Sequence, residues 1–398
     1  MTHVLIIYEA VEPGNIETRR VFKLLDAKDI LHSRGVLASH VCIEDLQWSD
    51  VLIFVRSTSS IERDLAMLAK KLGKFVILSI DDDFLSLGSS YGTDGSGYRI
   101  VRHKCLKEIL KVVDCLLTVN ELLAKKYIEY CSTDRYVITN TIVEKEEIYP
   151  ALQDGSSKDK IKLAIYVNDG SQGLFNNILR PALCLLTKNY KEKIALYLMA
   201  LRPDMSELEE SFEIHFVPHM PYKDFKHFLG TEGFDIGLAP LTDTGFSKYK
   251  YFNKYIEYTL AGIPAIYSDC PLYRLVIRDH YNGILTNNSP EGWCQAISSL
   301  IEDSVQRKAI IDNAQKHLYD NFEADKVICK LVEDIPELSN HKANGIVVHF
   351  LALRLVLIKI DYSAFRVRGW IGTAYSMLRK GNVKAFGVRF KKRILKIE

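Results

Sequence analysis

The sequence has no cysteine pair at CxxC spacing and no His/Cys cluster at zinc-ligand spacing; its eight cysteines (42, 105, 115, 131, 184, 270, 294 and 329) are scattered singly. That excludes a zinc ribbon and a disulfide framework, and it reads as reduced cysteines in a cytoplasmic protein. Low-complexity tracts and repeats of fixed period are also absent, which argues against a solenoid or an extended disordered region. No uninterrupted apolar run reaches the roughly 20 residues of a membrane span. The nearest, Gly345 to Ile360, is short and broken by His349, Arg354 and Lys359, so a buried or interfacial helix is expected there. The start, Met1-Thr-His-Val-Leu-Ile-Ile-Tyr-Glu9, lacks a basic leader region and reads as a first strand rather than a signal peptide.

What is present is an ordinary globular composition, 47% hydrophobic and 26% charged over 398 residues. That length exceeds what one core usually serves and predicts two domains. The net charge of +2 hides an asymmetry, because residues 362–398 hold ten Lys or Arg and one Glu, leaving 42 basic and 49 acidic residues upstream. A basic tail with Tyr375, Met377, Leu378, Phe386, Phe390 and Leu395 interleaved suits an anionic membrane surface. The alternatives are a solvated helix or an RNA-attracting tail; no nucleic acid is assigned as a partner. The expected location is cytoplasmic, peripheral on the inner face of the cell membrane.

Apolar runs of strand length alternate with amphipathic stretches, the pattern of βαβ units and parallel sheets. Strands are predicted at Val4–Tyr8, Val51–Val55, Phe75–Ile80, Cys115–Val119 and Tyr136–Ile138, with helices near Ile16–His32, Ile61–Leu72, Val101–Val113 and Glu121–Tyr130. After a polar break at Gln153 to Lys160 the alternation restarts, with strands from Ile161 to Thr286 and closing helices near Pro290–Ile301, Val305–Tyr319 and Ala324–Val332. The expectation is α/β, with an N-terminal Rossmann-like domain over 1–152, a second over 161–335 and a basic helical segment over 336–398. Open parallel sheets bind ligands at the carboxyl ends of their strands. Two such sheets facing each other would enclose a cleft.

The stretch from Phe234 to Asp269 reads as strand, loop, helix, tight turn and strand, with Gly262 closing the helix and Pro264 just beyond. Phe246, Lys250, Lys254 and Glu257 recur at spacings of four, four and three and are expected on one helical face, with Tyr251, Phe252, Tyr255 and Ile256 opposite. Lys254 and Glu257 can be read as a solvated ion pair. They can also be read as a cation near a diphosphate and a carboxylate for a ribose diol, because the helix follows a strand's carboxyl end.

These motifs, Asp235-Ile-Gly-Leu-Ala-Pro-Leu241 and Lys254-Tyr-Ile-Glu-Tyr-Thr-Leu-Ala-Gly-Ile-Pro264, continued by Tyr281-Asn-Gly-Ile-Leu285, Trp293 and Asp312-Asn-Ala314, resemble the donor-binding half of retaining GT-B glycosyltransferases of the family 4 type, particularly those of bacterial surface-polysaccharide assembly. The resemblance spans roughly residues 160–325. It implies the GT-B architecture, a nucleotide-sugar donor, and a saccharide or lipid-linked saccharide acceptor. It also implies that Glu257 binds the donor ribose, that Lys254 lies near the diphosphate and acts in catalysis, and that Thr242 to Ser247 form the loop beneath the sugar. Pro240, Asp243, Gly245, Phe246, Ser247 and Lys250 are expected around the donor, with Gly170 and Ser171 from the turn after the first strand of that half. Many relatives carry a second glutamate seven residues before the ribose-binding one, where this chain has Lys250, so sugar recognition does not transfer. No cofactor and no metal is expected.

In the first half, Ser79-Ile-Asp-Asp-Asp-Phe84 ends a strand and resembles the acidic strand end of polysaccharide glycosyltransferases. Asp81 and Asp82 are candidate catalytic carboxylates, since adjacent carboxylates can raise one another's pKa. Arg19, Arg20 and Arg56 are expected near the same cleft. Alternatively Asp83 caps a turn, or Asp81 to Asp83 hold a divalent ion as in metal-dependent GT-A enzymes. A further alternative is a non-catalytic sugar-nucleotide-binding scaffold of a polysaccharide assembly complex.

Overall fold

The computed structural model describes residues 1–9, 16–86, 96–150, 160–167, 171–343 and 351–379, with the side chains of 16–19, 96–100 and 368–379 left aside. Gly170, the side chain of Arg19, most of the predicted linker at Gln153 to Lys160 and the tail beyond Arg379 lie outside the described residues. The chain forms two compact units, one made of Met1–Ile142 with the segment from Val327, the other of Val143–Lys326.

The first unit holds a six-stranded sheet of β1 (Thr2–Tyr8), β2 (Leu31–Leu37), β3 (Val51–Val55), β4 (Phe75–Ile80), β5 (Cys115–Thr118) and β6 (Tyr136–Ile138), in the order β2-β1-β3-β4-β5-β6. Every pairing is parallel. All five residues of β3 are buried, as a strand covered by helices on both faces requires. The helix Ser60–Lys71 supplies part of that cover through Ile61, Leu65, Leu68 and Ala69, and a capping box between Ser59 and Glu62 starts it.

The predicted helix over Ile16–His32 is shorter. It ends at Ala27, Asp29 takes a positive φ of 54°, and the chain enters β2 at Leu31. An edge strand reading Leu-His-Ser-Arg-Gly-Val-Leu, mostly not buried, lacks the apolar run by which inner strands announce themselves.

The second unit repeats the architecture with a different strand order. β7 (Ile161–Val167), β8 (Ile194–Ala200), β9 (Glu213–Pro218), β10 (Ile236–Ala239), β11 (Ala265–Ser268) and β12 (Ile284–Thr286) run parallel in the order β12-β11-β10-β7-β8-β9. Its core joins Leu163, Ile165, Leu196, Leu198, Ile236, Leu238 and Ile266 to the fully buried Trp293 on the helix Pro290–Glu302. Each such side chain contributes roughly 1.5–3 kcal/mol by leaving water.

The C-terminal helices Ala324–Asp334 and Glu337–Asn340 lead to a long helix, Leu351–Arg379. Arg135 holds Glu337 through two hydrogen bonds of 2.6 and 2.8 Å. The long helix packs through Leu355, Tyr362 and Phe365 on the helices Ser60–Lys71 and Ser96–Leu110. Among the described residues no helix is long and apolar enough to cross a membrane.

Candidate functional site

In an open parallel sheet, the loops leaving two neighbouring strands diverge where the strand order reverses, and a crevice opens at their carboxyl ends. In the second unit that point falls between β7 and β10. The chain after β7 reaches Ser171, and the chain after β10 is Pro240 to Phe252, so both predicted donor loops issue from the reversal.

The root of the β10 loop is fixed at both backbone groups of Leu241. Its N–H donates to Ser268 Oγ at 2.8 Å, and its carbonyl accepts from Asn288 Nδ2 at 2.8 Å. Ser268 Oγ donates in turn to Asn288 Oδ1 at 2.6 Å, which also receives Trp293 Nε1 at 3.3 Å. From there the loop runs outward through the exposed Asp243 into a 3-10 turn, Gly245–Tyr249, entered by Gly245 at φ +54°.

The expectation of one continuous helical face through Phe246, Lys250, Lys254 and Glu257 fails here. Lys250 is extended (φ −64°, ψ 165°), and the helix covers only Asn253–Leu260, so Phe246 and Lys250 belong to the loop while Lys254 and Glu257 belong to the helix. Phe252 stands at the N-cap, and its side chain makes no capping hydrogen bond. The far end closes as expected. Gly262 takes φ +74°, Ile263 N–H returns to the Tyr258 carbonyl at 2.9 Å and Gly262 N–H to Thr259 at 3.1 Å, a Schellman motif. A Cβ on Gly262 would also meet the Pro150 carbonyl oxygen at 2.6 Å.

Two buried tyrosines hold this helix in register with the sheet. Tyr258 Oη lies 3.2 Å from the carbonyls of both Ala164 in β7 and Leu238 in β10, so it ties the helix to the two strands that flank the reversal. Gly237 leaves room for its ring, since a Cβ there would lie 2.8 Å from it. Tyr255 Oη sits 2.8 Å from His317 Nδ1 and accepts from Asn282 at 3.1 Å. Burial holds the His317 imidazole below its ordinary pKa, favouring the neutral ring in this contact.

Between these anchors Lys254 Nζ donates to Glu257 Oε2 at 2.5 Å and lies 4.0 Å over the Tyr166 ring and 5.0 Å over Phe225. Glu257 is 8% exposed, which separates it from a solvated surface pair. Burial, then the charge of Glu257, pushes the Tyr166 phenol upward. Glu257 also lines a cavity of about 410 Å³ with Glu147, Tyr149, Lys226, His227 and Leu260. None of the predicted residues from Pro240 to Lys250 lines that cavity.

The first unit's carboxylates are engaged differently. Asp81 receives Arg56 bidentately, Nε to Oδ1 at 2.6 Å, and Arg56 itself holds a left-handed φ of 52° at the end of β3. Asp83 is fully buried, paired with Lys126 Nζ at 2.5 Å and approached by Tyr127 Oη at 3.4 Å. Both carboxylate oxygens of Asp83 are thus engaged within the fold, Oδ2 by a lysine and Oδ1 by a tyrosine hydroxyl. Among the described residues no group of three or more His, Cys, Asp or Glu side chains is arranged to hold a metal ion. Arg20 donates to the Ile142 carbonyl at 3.2 Å.

No family model and no curated protein matches the chain. Solved structures do. The chain is similar to HepE of Anabaena in complex with UDP (11% identity, TM-score 0.60, 85% of this chain and 100% of that one) and to sucrose-phosphate synthase of Thermosynechococcus elongatus (12%, 0.59, 85% and 99%). It is also similar to the lipopolysaccharide outer core galactosyltransferase WaaB (13%, 0.55, 84% and 99%). The chain has the GT-B glycosyltransferase fold.

Within that GT-B fold, Lys254 and Glu257 stand on one short helix beside the reversal of the second sheet, and Ser171, Pro240, Asp243, Gly245, Phe246, Ser247 and Lys250 stand on the loops that leave it. Asp81 and Asp82 lie at the carboxyl end of β4 in the other unit. Sequence reasoning missed Tyr166, Tyr258, Ser268 and Asn288, which position the helix and the loop. The signal available for Tyr258 was Gly237, because a glycine inside a strand marks a close approach.

Proposed function

We propose that the protein is a glycosyltransferase that moves a sugar from a nucleoside diphosphate donor to a growing, lipid-linked saccharide, with retention of anomeric configuration and without a metal ion. The observation that carries the donor side is the helix Asn253–Leu260, whose Tyr258 is tied to both strands at the reversal and whose Lys254–Glu257 pair stands next to it. In this reading Glu257 accepts hydrogen bonds from the donor ribose. Lys254, Lys250 and helix N-terminal amides neutralise the departing diphosphate, so the protein supplies position and preorganised charge rather than a nucleophile. Ser171, Pro240, Asp243, Gly245, Phe246 and Ser247 shape the rest of the donor site, and Gly170 is assigned there from sequence. HepE, which shares this fold, is in complex with UDP, which supports a nucleotide-bearing donor.

Asp81 and Asp82, with Arg56, are assigned to the acceptor side. The basic residues of 362–398 attach the enzyme to the inner face of the cell membrane through anionic lipid.

The test is a panel of nucleotide-sugars read by thermal shift, followed by transfer assays of any binder with and without EDTA. A nucleoside diphosphate sugar that raises Tm and is consumed equally with chelator supports the reading. No shift across the panel removes it. Loss of transfer in EDTA with rescue by manganese moves the chemistry to Asp81 to Asp83.

A further inference from the structure

The helix Leu351–Arg379 has two apolar faces. Leu355, Tyr362 and Phe365 are buried against the first unit, while Leu353, Val356, Leu357, Ile360 and Val367 are each between 52% and 60% exposed. Offsets of three, four, seven and fourteen from Leu353 put these five on one stripe, opposite the buried face. A contiguous exposed apolar stripe marks an interaction surface.

Charge identifies the occupant. Arg354, Lys359 and Arg366 flank the stripe, and the one acidic residue of this helix, Asp361, lies 3.7 Å from Arg63 of the helix Ser60–Lys71. The chain that follows is strongly basic. A protein partner would be expected to offer the helix mixed polarity, whereas an apolar stripe edged by three cations and by Asp361, itself facing Arg63, matches the acyl boundary and headgroups of an anionic bilayer.

We propose that the face formed by Leu353, Val356, Leu357, Ile360 and Val367 docks on an anionic lipid bilayer, with the helix lying in the plane of the interface. This deepens the membrane attachment proposed above, adding an apolar face to the basic tail, and it does not depend on the sugar-transfer reading. On the opposite face, Tyr362 Oη donates to Glu9 at 3.2 Å, and Glu9 receives Arg102 through two bonds of 2.7 Å. Glu9 follows the carboxyl end of β1, next to the strand-order reversal of the first sheet. A docked helix therefore holds that strand end roughly 10 Å, one helix diameter, from the headgroups.

The experiment compares full-length wild type with the triple variant Val356→Ser/Leu357→Ser/Ile360→Ser in co-sedimentation with phosphatidylcholine vesicles containing or lacking phosphatidylglycerol. The basic tail is intact in both proteins. Wild type is expected to bind the anionic vesicles, and the variant to bind them at least about tenfold more weakly with unchanged Tm. Equal binding by the two proteins, or no preference of wild type for the anionic vesicles, overturns the proposal. So does a wild-type dimer by light scattering that the variant converts to monomer without any vesicle binding, since the face then serves a second copy of the chain. Should the triple variant fail to fold, Leu357→Trp replaces it: a blue shift of its emission on adding anionic vesicles is expected, and no shift overturns the proposal. Nucleotide-sugar binding measured on the same samples tests the sugar-transfer reading separately.

Discussion

The two sheets are built alike and end differently. In the first unit, charged residues at the strand ends are matched inside the fold: Asp81 by Arg56, Asp83 by Lys126 and Glu9 by Arg102. In the second, the loop after β10 is pinned at its root by Ser268 and Asn288 and then leaves Asp243 and Gly245 exposed. The charged pair on the helix that follows is Lys254 with Glu257, and Glu257 lines a cavity. Of these only Asp83 is fully shut off from water, as a framework carboxylate is, whereas polar groups presented from a rigid root are available to a ligand. The contrast sets Asp83, fully buried, against Glu257, the carboxylate proposed to meet the donor, although each pairs with a lysine.

The largest effect on stability that can break this contrast is at Asp83. Removing its charge leaves a fully buried amide facing Lys126, and a buried polar group that loses its partner costs about 1–3 kcal/mol. Asp83→Asn is therefore expected to lower Tm while the fraction still folded binds nucleotide-sugar as wild type does. A variant with wild-type Tm and impaired transfer would make Asp83 a functional carboxylate and erase the distinction.

Glu257→Gln should show the reverse. The amide keeps length and volume, and Lys254 retains its place over Tyr166. A hydrogen bond to a charged group is worth about 1.5–3 kcal/mol, so donor affinity is expected to fall roughly ten- to a hundredfold with a small change in Tm. Calorimetric titration of a nucleotide-sugar beside a melting curve checks it. Unchanged affinity and rate would return the Lys254–Glu257 pair to a structural role.

The sequence made most of the architecture legible, because inner strands such as β3 and β4 are continuous apolar runs bounded by polar turns. β2 was hidden by being a half-exposed edge. The break at Lys250 was hidden too: a helical spacing of Phe246, Lys250, Lys254 and Glu257 is satisfied by chance when a 3-10 turn precedes a short helix. For the candidate site, the residue types were readable but their partners were not. Asp81 meets an arginine 25 positions away and Asp83 a lysine 43 positions away, and periodicity carries no information about either. Only the parallel order of the strands brings those positions together.

A smaller effect probes the framework side alone, at Glu62. Its carboxylate is fully buried and accepts from Ser57 Oγ at 2.7 Å, from the Thr58 and Ser59 amides at 3.0 Å each, and from Ser59 Oγ at 2.8 Å. Burial, then the negative charge of Glu9, outweighs those donors and pushes its pKa from the ordinary 4.5 up to about 7. Between these values the folded chain binds more protons at this site than the unfolded chain, so the contribution is complete below the unfolded value and is lost as pH rises through about 7. Other carboxylates titrate in the same range, which is why the comparison must be a difference. Stability of wild type relative to Glu62→Gln is expected to fall by about 1–2 kcal/mol from about pH 5 to about pH 7, because the glutamine stays neutral throughout. Paired denaturant unfolding curves across that range measure it. A difference that stays flat with pH would mean that the four donors hold the carboxylate ionised, and the end of β3 would then carry a buried negative charge beside Glu9 rather than a protonated acid.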